Sequence, residues 1–92
     1  MSARAEKTVM IVNRRGLHAR AAAKFVRLVE ELGADVTVAK DDMEVSGASI
    51  MGLLMLSASI ETSIHISAIG EGAAEAVAAL EQLVSRRFDE EV

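Results

Sequence analysis

Twice along this chain the apolar residues change their spacing from every third or fourth position to every second. From His18 to Leu32, Ala22, Phe25, Val26, Val29 and Leu32 recur at helical intervals, which predicts an amphipathic helix stopped by Gly33. "ADVTVAK" (34–40) then alternates as a half-buried strand with Val36 and Val38 inward. The change recurs further on. "SIMGLLML" (49–56) reads as a short apolar helix begun at Ser49. "SIHISAI" (63–69) follows as a strand with Ile64, Ile66 and Ala68 on one face. A strand "KTVMIV" (7–12) and a loop "NRRG" (13–16) precede the first helix, and a turn at Asp41–Asp42 leads into a strand "MEVSG" (43–47). The last helix runs from Ala74 to Phe88, its stripe formed by Val77, Leu80, Leu83, Val84 and Phe88, and the acidic tail "DEEV" (89–92) is expected to fray.

The order β-α-β-β-α-β-α implies an α+β fold, a two-layer sandwich with helices on one face of a four-stranded sheet and solvent on the other. A ferredoxin-like arrangement shares much of this order. Ninety-two residues suffice for one domain, residues 1–92, with one core. That core must be aliphatic, because 51% of the residues are hydrophobic but only two, both Phe, are aromatic. Without cysteine there is no disulfide, thiolate metal site or thiol chemistry, and two histidines far apart argue against a metal. No apolar run approaches the ~20 residues of a membrane span. The N-terminus "MSARAEKTVMIV" has no secretion-signal pattern, so the expected compartment is the cytoplasm.

The net charge of −4 conceals an asymmetry. Residues 1–27 carry seven cations (Arg4, Lys7, Arg14, Arg15, Arg20, Lys24, Arg27) against Glu6, a net of +6. Residues 28–92 carry Lys40, Arg86 and Arg87 against thirteen acids, a net of −10. A cationic zone in an acidic chain is either a solvated helix face or the seat of an anionic ligand. In "RRGLHARAAAKFV" (14–26) those cations surround His18, where a loop meets a helix. A helix N-terminus offers unpaired N–H groups and partial positive charge, which favours a neutral imidazole and would cradle a phosphoryl group on it. Arg20 can fork onto phosphate oxygens. The alternative is a surface histidine that only caps the helix.

Ser49 is a good N-cap. The helix after it is apolar all round, with Leu53 and Leu56 on one face and Ile50, Met51, Leu54 and Met55 on another. Either both faces are buried or one is a sticky surface for partners. His65 reads as a solvent-side strand residue rather than a second reactive histidine.

"GLHAR" (16–20) resembles the active-site motif of the HPr family, the histidine-containing phosphocarriers of the bacterial phosphotransferase system. "SIMGLLML" resembles that family's second helix with its regulatory serine, and the likeness covers nearly the whole chain. "LLML", "HISAIG" and the terminal "RFDEEV" are most similar to the nitrogen-related and alphaproteobacterial branch, and "SASIETS" (57–63) lacks glycines common in sugar-transport relatives. The resemblance implies an open-faced β-sandwich and a monomeric carrier, not an enzyme, that needs no cofactor or metal. It implies phosphorylation of His18 at Nδ1 by a phosphoenolpyruvate-dependent Enzyme I, transfer to a IIA-type acceptor, and stabilisation of the phosphoryl group by Arg20. It further implies control by an HPr kinase/phosphorylase at Ser49, and docking through Ala23, Lys24, Arg27, Ile50, Met51 and Leu54, with Leu53 and Leu56 inward. One departure stands out: the family usually has proline after the arginine, and here it is Ala21, which keeps a helical N–H and leaves the helix start less constrained. A nucleic-acid binder would explain the basic N-terminal third but not the acidic total or the lack of aromatics for stacking. A ferredoxin-like metabolite sensor would explain the element order but not His18 beside Arg20.

Overall fold

The computed structural model describes residues 3–91. Met1, Ser2 and Val92, the ends of the N-terminal stretch and of the acidic tail, lie outside the described residues. The chain forms β1 (Arg4–Met10), α1 (Ala19–Leu32), β2 (Asp35–Lys40), β3 (Met43–Ser46), α2 (Ile50–Met55), β4 (Ser63–Ile69) and α3 (Ala73–Ser85), then a 3-10 turn at Arg87–Asp89. All seven expected elements occur in the expected order.

Their edges differ by more than one residue only in β1 and at the end of α3. β1 starts three residues early and stops at Met10, because it pairs with β4 along its whole length, from Arg4 opposite Ile69 to Met10 opposite Ser63. That ladder draws Arg4 and the poor strand formers Ala5 and Glu6 into the sheet. Ile11 leaves the ladder but stays pinned: its N–H donates to the Thr62 carbonyl (2.8 Å) and its carbonyl accepts the Glu61 N–H (2.8 Å). α3 ends at Ser85, not Phe88, and Phe88 is reached through a left-handed turn.

The sheet runs β1-β4-β2-β3 with every neighbouring pair antiparallel. The last strand in sequence therefore lies between the first two. Ile64, Ile66 and Ala68 of β4 meet Val9 of β1 and Val36 and Val38 of β2 on the covered face, beneath Phe25, Val29, Leu53, Leu80 and Val84 from the helices. All are buried. The period of two sends His65 and Ser67 to the open face, opposite Thr8 and Glu6 of β1. There Thr8 Oγ1 lies 2.9 Å from His65 Nδ1 and Glu6 Oε1 lies 2.8 Å from His65 Nε2. Leu32, placed on the apolar stripe of α1 by its spacing, is instead exposed in the helix's last turn. Phe25, wholly buried, anchors α1 to the core; its truncation to alanine would cost about 3–5 kcal/mol.

Candidate functional site

Between β1 and α1 the chain makes one close approach. Gly16 has φ +67°, and a Cβ there would lie 2.4 Å from the Ala58 carbonyl oxygen. Only glycine fits both the conformation and the space. The approach lets the next residue, Leu17, donate its N–H to that same carbonyl (2.9 Å), which ties the loop to the segment between α2 and β4. His18 follows at a fixed position.

His18 is the N-cap of α1. Its backbone is extended (φ −79°, ψ −179°), and its ring folds back so that Nδ1 accepts the Arg20 N–H at 3.2 Å. The ring nitrogen thus takes the place of the usual Ser or Asp oxygen. Nδ1 therefore carries no proton, and its lone pair lies at the positive end of a 14-residue helix.

The other ring nitrogen has a partner that spacing did not reveal. Nε2 contacts Oε2 of Glu90, and Glu90 Oε1 accepts a hydrogen bond from Asn13 Nδ2 at 3.0 Å. Asn13 is wholly buried, and the same Nδ2 group also donates to the Gly16 carbonyl (2.8 Å), so it joins the loop to the C-terminal segment. Asn13 Oδ1 has no hydrogen-bond partner among the described residues. The side chains of His18 and Glu90 are only 16% and 11% exposed. Burial raises the Glu90 pKa, but hydrogen bonds from His18 and Asn13, then the charges of His18 and Arg15, outweigh it and hold the carboxyl below its ordinary value.

The expectation of a frayed tail is thus overturned for Asp89, paired with Arg86, and for Glu90, held by His18 and Asn13. Phe88 is fully buried, and its carbonyl accepts a hydrogen bond from Lys24 Nζ (2.7 Å). A lone aromatic just past a helix was the available signal: its burial is worth more than the freedom of a terminus.

Arg15, Arg20 and Lys24 share a shallow basin with Asp89, Glu90 and Glu91. Arg20 is exposed and makes no ion pair with a described residue, so its guanidinium is available to an anion. Lys24, by contrast, is engaged with the tail. Ala21, at the position of the usual proline, is fully buried within the first turn. On α1, Ala23 and Arg27 are exposed.

Ser49 caps α2: its Oγ accepts the Gly52 N–H at 2.9 Å. Leu53 and Leu56 point inward and are buried, whereas Met51 is 70% and Ile50 40% exposed. Leu54 is half-buried and packs against the core. α2 packs on α1, so its exposed residues lie on a helix adjoining the one His18 caps.

Known proteins share this arrangement. Residues 5–86 match the family model described as "PTS HPr component phosphorylation site". The phosphocarrier protein HPr of Neisseria meningitidis is 41% identical over 85 residues, which cover 92% of this chain and 96% of that one. Phosphocarrier protein HPr of Pseudomonas aeruginosa is 43% identical over 83 residues (89% and 92%). Phosphocarrier protein NPr of Shewanella violacea is 40% identical over 85 residues (92% and 93%). Among solved structures, HPr-C-His from Thermoanaerobacter tengcongensis superposes with a TM-score of 0.90 at 39% identity, covering 96% of this chain and 99% of that one. A shared sheet, a shared motif and matching length leave one conclusion: the chain belongs to the HPr family, the phosphocarriers of the phosphotransferase system, and is a carrier rather than an enzyme.

Proposed function

We propose that His18 accepts the phosphoryl group at Nδ1 from a phosphoenolpyruvate-dependent Enzyme I and passes it to a IIA-type acceptor in the cytoplasm. The observation that supports this most directly is the Nδ1 lone pair at the N-terminus of α1, beside the exposed Arg20. The Arg20 N–H that now caps Nδ1 would turn to the phosphoryl oxygens, and the Arg20 guanidinium would supply charged hydrogen bonds to them. The single domain of residues 1–92 acts as a monomer and binds no nucleic acid. The similarity to an NPr, within a set that includes several HPr proteins, favours a regulatory, nitrogen-type relay.

Docking would use Ala23 and Arg27 of α1 with Ile50 and Met51 of α2, Leu54 adding its exposed part and Lys24 its stem. Met51, unbranched and solvent-facing, suits a surface that must fit more than one partner. Ser49 is the regulatory site for an HPr kinase/phosphorylase: a phosphate at this N-cap would add about −1.5 to −2 of charge beside that docking face.

Incubation with Enzyme I and phosphoenolpyruvate, followed by mass measurement, tests the reading. One acid-labile phosphoryl group should appear, vanish in His18→Ala and persist in His65→Ala. Labile phosphate retained in the His18 variant would refute it.

A further inference from the structure

The C-terminal segment is held in a conformation that its own sequence does not favour. Arg87, Phe88 and Asp89 have φ of 59°, 53° and 64°, three consecutive non-glycine residues in the left-handed region. Such a turn persists only where the surroundings over-determine it. Here the buried Phe88 ring, the Lys24 hydrogen bond to the Phe88 carbonyl and the Asn13 hydrogen bond to Glu90 hold it. The outcome of all three is one contact, Glu90 Oε2 against His18 Nε2.

We infer that Glu90 is a positioning residue for His18: its carboxylate, seated on Nε2, fixes the ring tautomer and keeps the proton on Nε2 throughout phosphoryl transfer. This rests on the phosphocarrier reading of His18. One side of the ring faces a donor, the Arg20 N–H, and the other an acceptor, the Glu90 carboxylate, so only the Nε2–H tautomer satisfies both. That tautomer leaves Nδ1 without a proton, so its lone pair can attack once the Arg20 N–H turns to the phosphoryl oxygens.

The transfer balances as follows. The Nδ1 lone pair bonds to phosphorus of a phosphorylated protein histidine, the donor P–N bond breaks, and its electron pair stays on the donor ring. His18 keeps its Nε2 proton and becomes a cationic phosphoimidazole, with the Glu90 carboxylate as counter-charge. On transfer to the acceptor, the P–Nδ1 electron pair returns to His18, which leaves as neutral imidazole. Were the Nε2 proton lost to solvent, the leaving group would be an imidazolide anion, and the phosphoryl group would be held longer and delivered more slowly. The other charged groups around the contact are Arg15 on the loop, Arg20 and Lys24 on α1, and Asp89 and Glu91 on the tail. Arg15, Arg20 and Lys24 favour an incoming phosphoryl group, while Asp89, Glu90 and Glu91 keep the basin from retaining it.

The test is Glu90→Gln, which keeps the shape but not the charge, with Glu91→Gln as a control that removes equal charge from the same basin. Imidazole ¹⁵N spectra of the unphosphorylated proteins should show bare Nδ1 and protonated Nε2 in wild type and Glu91→Gln, and mixed tautomers in Glu90→Gln. At mildly alkaline pH the phosphorylated Glu90→Gln protein should hydrolyse severalfold more slowly, and its transfer to the acceptor should fall roughly tenfold, equivalent to about 1.4 kcal/mol in the transfer barrier. A merely structural Glu90 would change thermal stability and leave tautomer and phosphoryl lifetime alone. That result, in Glu90→Gln and in Glu90→Ala, overturns the inference. If wild type accepts no phosphoryl group, the phosphocarrier reading fails instead, while the tautomer measurement still decides the role of Glu90.

Discussion

Gly16→Ala separates two reasons for a glycine two residues before His18. The residue has φ +67°, a conformation that costs an L-residue about 1–2 kcal/mol. The new Cβ would also lie 2.4 Å from the Ala58 carbonyl oxygen and 3.0 Å from the Ser59 Cα. Both are backbone atoms and cannot rotate away, so the loop must shift, at a further cost of about 1–3 kcal/mol. The expected loss is about 2–5 kcal/mol, a large part of the ~5–15 kcal/mol that stabilises a domain. Gly33 supplies the internal control. It has φ +64° at the end of α1, but a Cβ there meets nothing within 4 Å. Gly33→Ala should therefore lose only the conformational part, about 1–2 kcal/mol. Urea unfolding followed by circular dichroism measures both, with an unchanged slope as the sign that the same surface is exposed. At about 4–8 °C per kcal/mol for a domain of this size, melting should also separate the two variants clearly. Because the shifted loop carries His18, Gly16→Ala should slow phosphoryl transfer under conditions where it is still folded, and Gly33→Ala should not. Equal destabilisation by the two substitutions would show that the loop yields freely and does not set the position of His18.

Four further outcomes follow from the same geometry. Arg20→Ala removes a charged donor worth about 1.5–3 kcal/mol, so single-turnover transfer should slow about ten- to a hundredfold with the fold intact; an unchanged rate would reduce Arg20 to background field. Met51→Asp should weaken Enzyme I binding in a titration while melting stays within a few degrees, since Met51 is 70% exposed; a large drop in melting temperature would place Met51 in the core. Ser49→Asp should lower the transfer rate from Enzyme I more at low salt than at high salt, with Ser49→Ala unaffected; equal rates for all forms would leave Ser49 as a cap alone. The folded-state pKa of Glu90 lies below its ordinary value, so the Glu90 contact with His18 and Asn13 stabilises the fold above the ordinary carboxylate range and loses that effect as pH falls below that range, through the depressed pKa. The stability difference between wild type and Glu90→Gln, followed by denaturant titration, should accordingly be largest near neutrality and shrink on acidification; a difference that grows in acid would contradict the assigned sign.

Local signals carried most of the fold and half of the site. The period of two at residues 34–40 and 63–69 and the period near 3.6 from residue 18 report which face each element buries, and burial enforces them everywhere in the core. The capping residues His18, Ser49 and Gly33 were legible because a helix end satisfies its backbone groups within a few residues. Tertiary structure decided everything that joins distant segments. The extension of β1 back to Arg4 depends on the neighbour it gains when β4 inserts between β1 and β2, and Gly16 owes its space to Ala58. Glu90 lies 72 residues from the histidine it contacts, in a stretch whose composition reads as a solvated tail. No periodicity links the two, because hydrophobic spacing records only which way a residue faces within its own element. The meeting of Glu90 with His18 is set by where Phe88 finds a buried place beyond α3, and that is a property of the packed core.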